Sequence, residues 1–470
     1  MSAPGALEYI EAVVRGEIDP RGYLGNLMRR LSPHAERLNL FSNIVREEGA
    51  ANDGPLSGLP FSVKDNICVK GFETRAGSKI LEGYRPPFDA TVVERMRAAG
   101  ASFIGATNMD EFGFGTFSTN CAFGAPRNPF DESRSCGGSS GGAAGLTAVL
   151  RHHIALAEST GGSISCPAAF CGVVGFTPTY GRVSRYGLID YANSLDKIGL
   201  MARSVDDISL ALPIISGRDR MDPTSLAQPD LSILEKRIKS IAVPEELVSS
   251  IADRRISDAF SDAVKLLQEG GMEVAKVSMP ALRYSIPAYY ILACAEASTN
   301  LAKYCGMRYG RAGTGYDKMY DEFFTEVRTE SFGVEAKRRL MLGTFARMAG
   351  YRDQYYMKAL RVRAKIVESY ADVFKDHDII ATPTMPLLPP KFDEISAMSP
   401  ATVYALDFLT VPPNLAGIPQ LSQPMAYVDG LPAGIHFMAA HWEEGKLLSM
   451  GRAWEKQTRY NFPLSLEGST

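Results

Sequence analysis

The chain has 470 residues, 45% apolar and 22% charged, ordinary values for a soluble globular protein with enough length to bury a sizeable core. Lysine and arginine (50) nearly balance aspartate and glutamate (53), and basic residues come only in twos and threes such as Lys337-Arg338-Arg339. This argues against a dominant nucleic-acid footprint on this chain, though not against RNA held by a partner.

Taken in order, residues 5–16 and 24–37 predict amphipathic helices, followed by a polar turn at 48–58. The opening MSAPGALEYIEAVVRGE lacks the basic-then-apolar order of a signal peptide, and no window approaches the roughly 18 apolar residues that span a bilayer. A strand–helix rhythm then begins. Leu59–Val63 predicts a strand, Thr91–Ala99 a helix closed by Gly100, Ser102–Ala106 a strand, Gly141–Leu150 a small-residue helix and Ile154–Ala157 a buried strand. Residues 215–235 are polar and proline-containing, the best internal boundary. Beyond it come strands at 241–243 and 272–277 around a helix at 252–269. Residues 333–374 are strongly helical, with Leu340, Phe345, Met348 and Tyr355 read as a stripe facing the core. Strands at 378–381, 420–426 and 434–438 and a helix from about 443 close the chain. The pattern predicts an α/β fold with a central mixed sheet, organised as one domain over 1–470: N-terminal helices to 50, a catalytic region at 59–215 and a sheet-completing, substrate-side region at 236–470. Seven irregularly spaced cysteines read as free thiols of a reducing cytoplasm, and no zinc-like spacing supports a metal.

Two glycine-framed serines stand out. Cys136-Gly137-Gly138-Ser139-Ser140-Gly141-Gly142 precedes Ser159-Thr160-Gly161-Gly162-Ser163-Ile164-Ser165, with 24 residues between Ser139 and Ser163. A serine nucleophile needs close substrate approach, which glycine permits, and successive N–H groups such as those of Thr160, Gly161, Gly162 and Ser163 can stabilise an oxyanion. A linker would not be flanked so closely by apolar elements, and a phosphate loop would need a lysine that neither stretch carries. Gly137–Gly141 also fits G-x-S-x-G, but polar Asp131–Ser135 is a poor match for the buried strand that should precede such an elbow. No histidine has a site-like setting. The other base open to a serine is a lysine kept neutral by burial, and Lys64, ending an apolar strand, is the candidate.

Lys64 in Val63-Lys64-Asp65-Asn66, the Gly-Gly-Ser-Ser-Gly-Gly block and Thr160-Gly161-Gly162-Ser163-Ile164 together resemble the amidase signature family. So do Pro178–Ser184 and Asn414–Pro419. The resemblance implies the family's fold, a mixed sheet covered by helices on both faces. It also implies a relay in which Ser163 attacks an amide carbonyl, Ser139 on a cis peptide passes its proton to neutral Lys64, and residues 160–163 form the oxyanion hole.

Within the family, Tyr180–Leu188, Asn193–Asp196 and Lys337–Leu340 are most similar to the glutamine-hydrolysing subunits of tRNA-dependent amidotransferases. That similarity implies ammonia supply to partner subunits B and C, the first of which binds aminoacyl-tRNA and uses ATP and Mg2+, and no cofactor in this chain. It further implies that Arg339 holds the α-carboxylate of glutamine and Asp407 its α-amino group. A free-standing amidase and an inactive scaffold are the competing readings. Many members carry Asp and Arg where this chain has Ser159 and Ser165, a joint loss that reads as a missing ion pair. Cys136 and Asn120 replace a common proline and glutamate.

Overall fold

Short apolar runs bounded by Gly, Pro and polar residues become strands, since such runs can pair edge to edge in a sheet and are too short to be stable as isolated helices. The computed structural model of the chain describes residues 5–45, 54–227, 237–314 and 317–458. Its strands are β1 (Phe41–Ile44), β2 (Pro60–Lys64), β3 (Ser102–Thr107), β4 (Arg127–Asn128), β5 (Asp131–Ser135), β6 (Ile154–Ser159), β7 (Val174–Thr177), β8 (Lys197–Ala202), β9 (Ser240–Pro244), β10 (Glu273–Val277), β11 (Ile379–Pro383), β12 (Gln420–Val428) and β13 (Leu431–Met438). β4 and β5 pair as a small ribbon. The others form one sheet in the order β1-β3-β2-β6-β8-β7-β12-β13-β11-β9-β10.

The sheet is mixed, as expected. β3, β2 and β6 run parallel, as do β11, β9 and β10, and antiparallel pairs link the two groups. β7 pairs with β12 (Phe176 opposite Leu421), so the last strands complete the sheet begun by the first. Helices lie on both faces. The helix Ser165–Phe170 packs on Gly175 and Gly434, and Ser422 bonds to the Ser165 carbonyl. The helix Glu444–Thr458 meets neighbours of opposite pleat, with Trp454 against Phe437 and Gly451 against Leu421.

Most expected elements occur at or near their predicted positions; part of the 48–58 turn and of the 215–235 boundary lies outside the described residues. The described part of that boundary is a bonded loop, in which Asp219 accepts from Ser184 and Asp222 from the Arg185 N–H. Three expectations need correction. The second helix starts at Pro20, four residues early, because Asp19 caps it through the Arg21 and Gly22 N–H groups and proline suits its first turn. The 333–374 stretch is two helices, Val334–Arg347 and Tyr356–Val373. Of its stripe only Leu340 packs against the core, half-buried, whereas Phe345 is 42% exposed, Met348 51% and Tyr355 38%. The buried face of Val334–Arg347 carries Glu335, Ala336, Arg339, Gly343 and Ala346 instead. A Cβ on Gly343 would sit 1.8 Å from the Cys294 carbonyl oxygen, so this face is built of small residues to let two helices approach. All seven cysteines are free. Among the described residues no helix is long and apolar enough to cross a membrane.

Candidate functional site

β2 and β6 are parallel neighbours, so their carboxyl ends open on the same edge of the sheet, where α/β proteins place their sites. Lys64 ends β2 and is fully buried. Its Nζ lies 2.7 Å from Ser139 Oγ, 3.0 Å from the Glu158 carbonyl oxygen and 2.9 Å from Glu158 Oε2. Ser139, also fully buried, follows the cis Gly138–Ser139 peptide and precedes the helix Gly141–Val149. The Gly138 N–H donates to the Thr116 carbonyl at 2.7 Å, and a Cβ on Gly138 would meet Asp110 Oδ2 at 2.3 Å. Only glycine fits there. Asp110 donates its own N–H to the Ser139 carbonyl at 3.2 Å and accepts from the Ser118 and Asn120 N–H groups of the neighbouring segment, and burial raises its carboxyl to about 6.

Glu158 was missed by sequence reasoning. It ends the run Ile154-Ala155-Leu156-Ala157, and a charged residue inside a strand that must be buried is the signal that could have found it. Burial alone was expected to govern Lys64, yet the lysine has a carboxylate partner. Glu158 Oε2 also accepts from Asn66 Nδ2 at 3.2 Å, while Oε1 lies 2.7 Å from Thr160 Oγ1. The same hydroxyl lies 2.8 Å from Asp196 Oδ1. One hydroxyl has one proton, so only one of these contacts is a donation from Thr160; in the other a carboxylic acid donates to it. Asp196 is the protonated partner. Burial, and then the charge of Glu158, raise it well above the ordinary range, while its Oδ2 accepts from the Tyr191 and Ala192 N–H groups.

The loop leaving β6 carries Ser163, which is 6% exposed. A Cβ on Gly162 would lie 2.3 Å from Thr410 Oγ1, so the loop passes close to the C-terminal half of the chain. Among the described residues, the N–H groups of Gly161, Gly162 and Ser163 have no hydrogen-bond acceptor, and Ser163 Oγ has no partner, Ser139 included. The same holds for the Thr160 N–H, so among the described residues all four expected oxyanion donors are unused by the chain itself. Ser159 and Ser165 are buried; Ser159 Oγ bonds the Gly161 carbonyl at 3.3 Å and Ser165 Oγ pairs with His436 Nε2 at 3.2 Å. Neutral, internally bonded hydroxyls occupy both positions, and neither leaves a charge behind.

Arg339 and Asp407 sit together beside this loop, neither at a helix surface nor as a cap. Arg339 is 3% exposed, donates from Nε to Glu335 at 2.8 Å and from Nη1 to Tyr191 Oη at 2.8 Å, and lies 5.1 to 5.9 Å from the rings of Phe114, Tyr191, Tyr290 and Tyr404. Asp407 accepts from Tyr290 Oη at 2.8 Å and faces Thr116 Oγ1 with both oxygens, at 3.0 and 3.1 Å. Tyr290 thus spans the two charges, and Thr116 links Asp407 to the Ser139 loop. Burial raises Asp407 to about 6. Among the described residues there is no group of three metal-ligating side chains.

The chain belongs to the amidase family, whose model matches residues 38–448. The chain is 44% identical over 425 residues to the glutamyl-tRNA(Gln) amidotransferase A subunit of Archaeoglobus fulgidus, covering 88% of this chain and 92% of that protein. It is 45% identical over 433 residues to the protein of that name from Bacillus velezensis, covering 91% and 89%. The crystal structure of the Thermotoga maritima glutamyl-tRNA(Gln) amidotransferase A subunit superposes with a TM-score of 0.83 at 36% identity, covering 96% of this chain and 95% of that one.

Proposed function

We propose that this chain is the glutamine-hydrolysing subunit of a tRNA-dependent amidotransferase, working in the cytoplasm with subunits B and C. The observation that carries the reading is the buried Lys64–Ser139 contact beside the Ser163 loop, in a chain similar along most of its length to amidotransferase A subunits. In this reading Ser163 Oγ attacks the glutamine side-chain carbonyl, and its proton passes through Ser139 to Lys64. The N–H groups of Thr160, Gly161, Gly162 and Ser163 hold the oxyanion, ammonia leaves with the returned proton, and water hydrolyses the acyl-enzyme by the same relay. Arg339 binds the α-carboxylate and Asp407 the α-ammonium, charges of the correct sign for a zwitterion. The B subunit binds Asp-tRNA(Asn) or Glu-tRNA(Gln) and uses ATP and Mg2+. Two features favour a member of a complex over a free-standing amidase. The near-neutral charge leaves tRNA to a partner, and Phe345, Met348, Tyr351 and Tyr355 are partly exposed, with their aromatic rings grouped at 4.6 to 6.3 Å. Monomers rarely leave such apolar groups open.

The test is ammonia release from glutamine by the chain alone and with subunits B and C, ATP, Mg2+ and charged tRNA. Release should depend on the partners and fall by about a thousandfold or more in Ser163→Ala. Partner-independent hydrolysis of simple amides, without glutamine preference, would identify a free-standing amidase; no turnover of any amide would identify an inactive scaffold.

A further inference from the structure

Lys64 sits among three acceptors, two belonging to Glu158 and the third to Ser139. An ammonium fills them with three N–H donors. A neutral amine fills them equally well, giving two N–H groups to the Glu158 oxygens and offering its lone pair to the Ser139 hydroxyl. The heavy atoms therefore fit both protonation states without moving, and what decides between them is a carboxylate 2.9 Å away, sealed from water.

We propose that Glu158 is the terminal proton acceptor of the relay, so that the working base is the Lys64–Glu158 pair and not a lone neutral lysine. The inference rests on the Ser163–Ser139–Lys64 reading and adds a fourth member. In the resting pair Lys64 is an ammonium and Glu158 a carboxylate. One N–H bond at Nζ breaks as an O–H bond forms on Glu158, and the pair becomes amine and carboxylic acid with no change in net charge. The freed lone pair takes the Ser139 proton as Ser139 Oγ takes that of Ser163. The sum is one proton moved from Ser163 to Glu158, returned along the same atoms when the leaving nitrogen is protonated. The charged and titratable groups facing the pair are Asp196, through Thr160, and Asp110 near Lys64. Asp196, which burial raises well above the ordinary carboxyl range, holds its own proton on Thr160, which leaves the Thr160 hydroxyl to donate to Glu158 Oε1. Glu158 acts through Lys64 and touches no substrate.

The distinguishing property is proton count. An internal transfer leaves the number of protons on the pair unchanged, so activation of Ser163 should be flat over a pH range where a lone lysine would lose about tenfold per pH unit on acidification. The experiment measures the second-order rate at which a fluorophosphonate labels Ser163 in the full chain, from pH 6 to 9. Wild type should be nearly level. Glu158→Gln, which cannot accept a proton, should be at least about 30-fold slower at pH 6 and come within about threefold of wild type at pH 9, as the unpaired amine loses its proton to solvent. Thr160→Val keeps the ion pair but removes the bond to Oε1, so its labelling should begin to fall at a higher pH than in wild type, a test that stands if Glu158→Gln does not fold. The inference is overturned if Glu158→Gln matches wild type, or is slowed by the same factor at every pH, or if Thr160→Val superimposes on wild type. Ser163→Ala separates the two layers: persistent labelling there overturns the relay itself, whereas labelling lost in Ser163→Ala beside a pH-independent Glu158→Gln ratio overturns only the role of Glu158.

Discussion

Asp407 combines the two demands placed on a substrate-binding carboxylate. It must be ionised to hold an ammonium, yet it is buried, and burial brings its protonation up to about 6. The two hydroxyls that donate to it, from Tyr290 and Thr116, and the guanidinium of Arg339 partly offset that burial. Glutamine affinity should therefore weaken as pH falls through 6, with KM rising while kcat changes less. Asp407→Asn should raise KM by about 10- to 100-fold, the range of a charge-assisted hydrogen bond, and its KM should no longer depend on pH in this interval. Steady-state kinetics at pH 5.5 and 7.5 check both statements, and an unchanged KM in the variant would remove Asp407 from the binding site. At this scale the sequence was legible wherever spacing carried the information: Lys64, Ser139 and Ser163 are set by glycine framing and by a strand end. Glu158 was legible only as a charge in a strand that must be buried, and Thr116, Tyr290 and Tyr191 were not legible. They reach the site from separate elements, and nothing local to a lone tyrosine or threonine says that its hydroxyl will meet a buried charge.

Between elements, the loop after β7 and the start of the helix Glu444–Thr458 are joined by a buried ion pair. Arg182 Nε lies 2.7 Å from Glu444 Oε1, with both side chains at 2% exposure or less. The same oxygen accepts from the Thr179 N–H, and the Trp442 N–H bonds back to Thr179 Oγ1. Arg182 also lies over the Trp442 ring at 5.1 Å. Removing one partner leaves the other charge buried and uncompensated, so Arg182→Met or Glu444→Leu alone should each cost about 3–5 kcal/mol, while the double variant should cost less than their sum. Urea unfolding of the four proteins gives the coupling energy, and additive losses would show that the pair does not act as a unit. Strands such as β2, β3, β6 and β9 were readable because each is a short apolar run with clear punctuation. β1 was not, being a half-buried edge, nor was β7, whose Gly175 is where Ala168 packs. The helix Val334–Arg347 inverted the usual rule for a specific reason. Its inward face is assigned to a close helix contact at Gly343 and to the charge of Arg339 in its aromatic surround, which turns the large apolar side chains outward.

For the molecule as a whole, the buried titratable groups set a dependence of stability on pH opposite to that of substrate binding. Burial raises Asp65, Asp110, Asp207 and Asp407 to about 6, Glu111 to about 7 and Glu455 to about 8. A carboxyl raised on folding binds its proton more tightly in the folded chain, so each of these groups favours folding increasingly as pH falls from neutrality towards the carboxyl's unfolded value near 4. The histidines act the other way. Burial lowers His152 to about 4 and His153 and His436 to about 3, so the stability they contribute is present above pH 6.5 and is lost as the unfolded chain takes up protons below it. Between pH 7.5 and 5.5 the carboxyls outnumber the histidines, and the folded chain holds the larger number of protons. The melting temperature should therefore be higher at pH 5.5 than at 7.5, although glutamine binding is weaker there. The carboxylates whose hydrogen bonds outweigh burial, such as Asp253 on the Arg255 guanidinium and Asp378 on the Lys239 N–H and Lys446, are held below the ordinary range and reverse the trend only below about pH 4, where they must be protonated. Calorimetry across this range, with Asp207→Asn as a control, separates the contributions. Asp207 lies away from the serines, accepting the Leu7 N–H at 2.9 Å, and its replacement should reduce the gain on acidification while leaving Ser163 labelling unchanged. A melting temperature that falls steadily from pH 7.5 to 5.5 would mean that the histidines dominate and that the buried carboxyls are ionised in the folded chain.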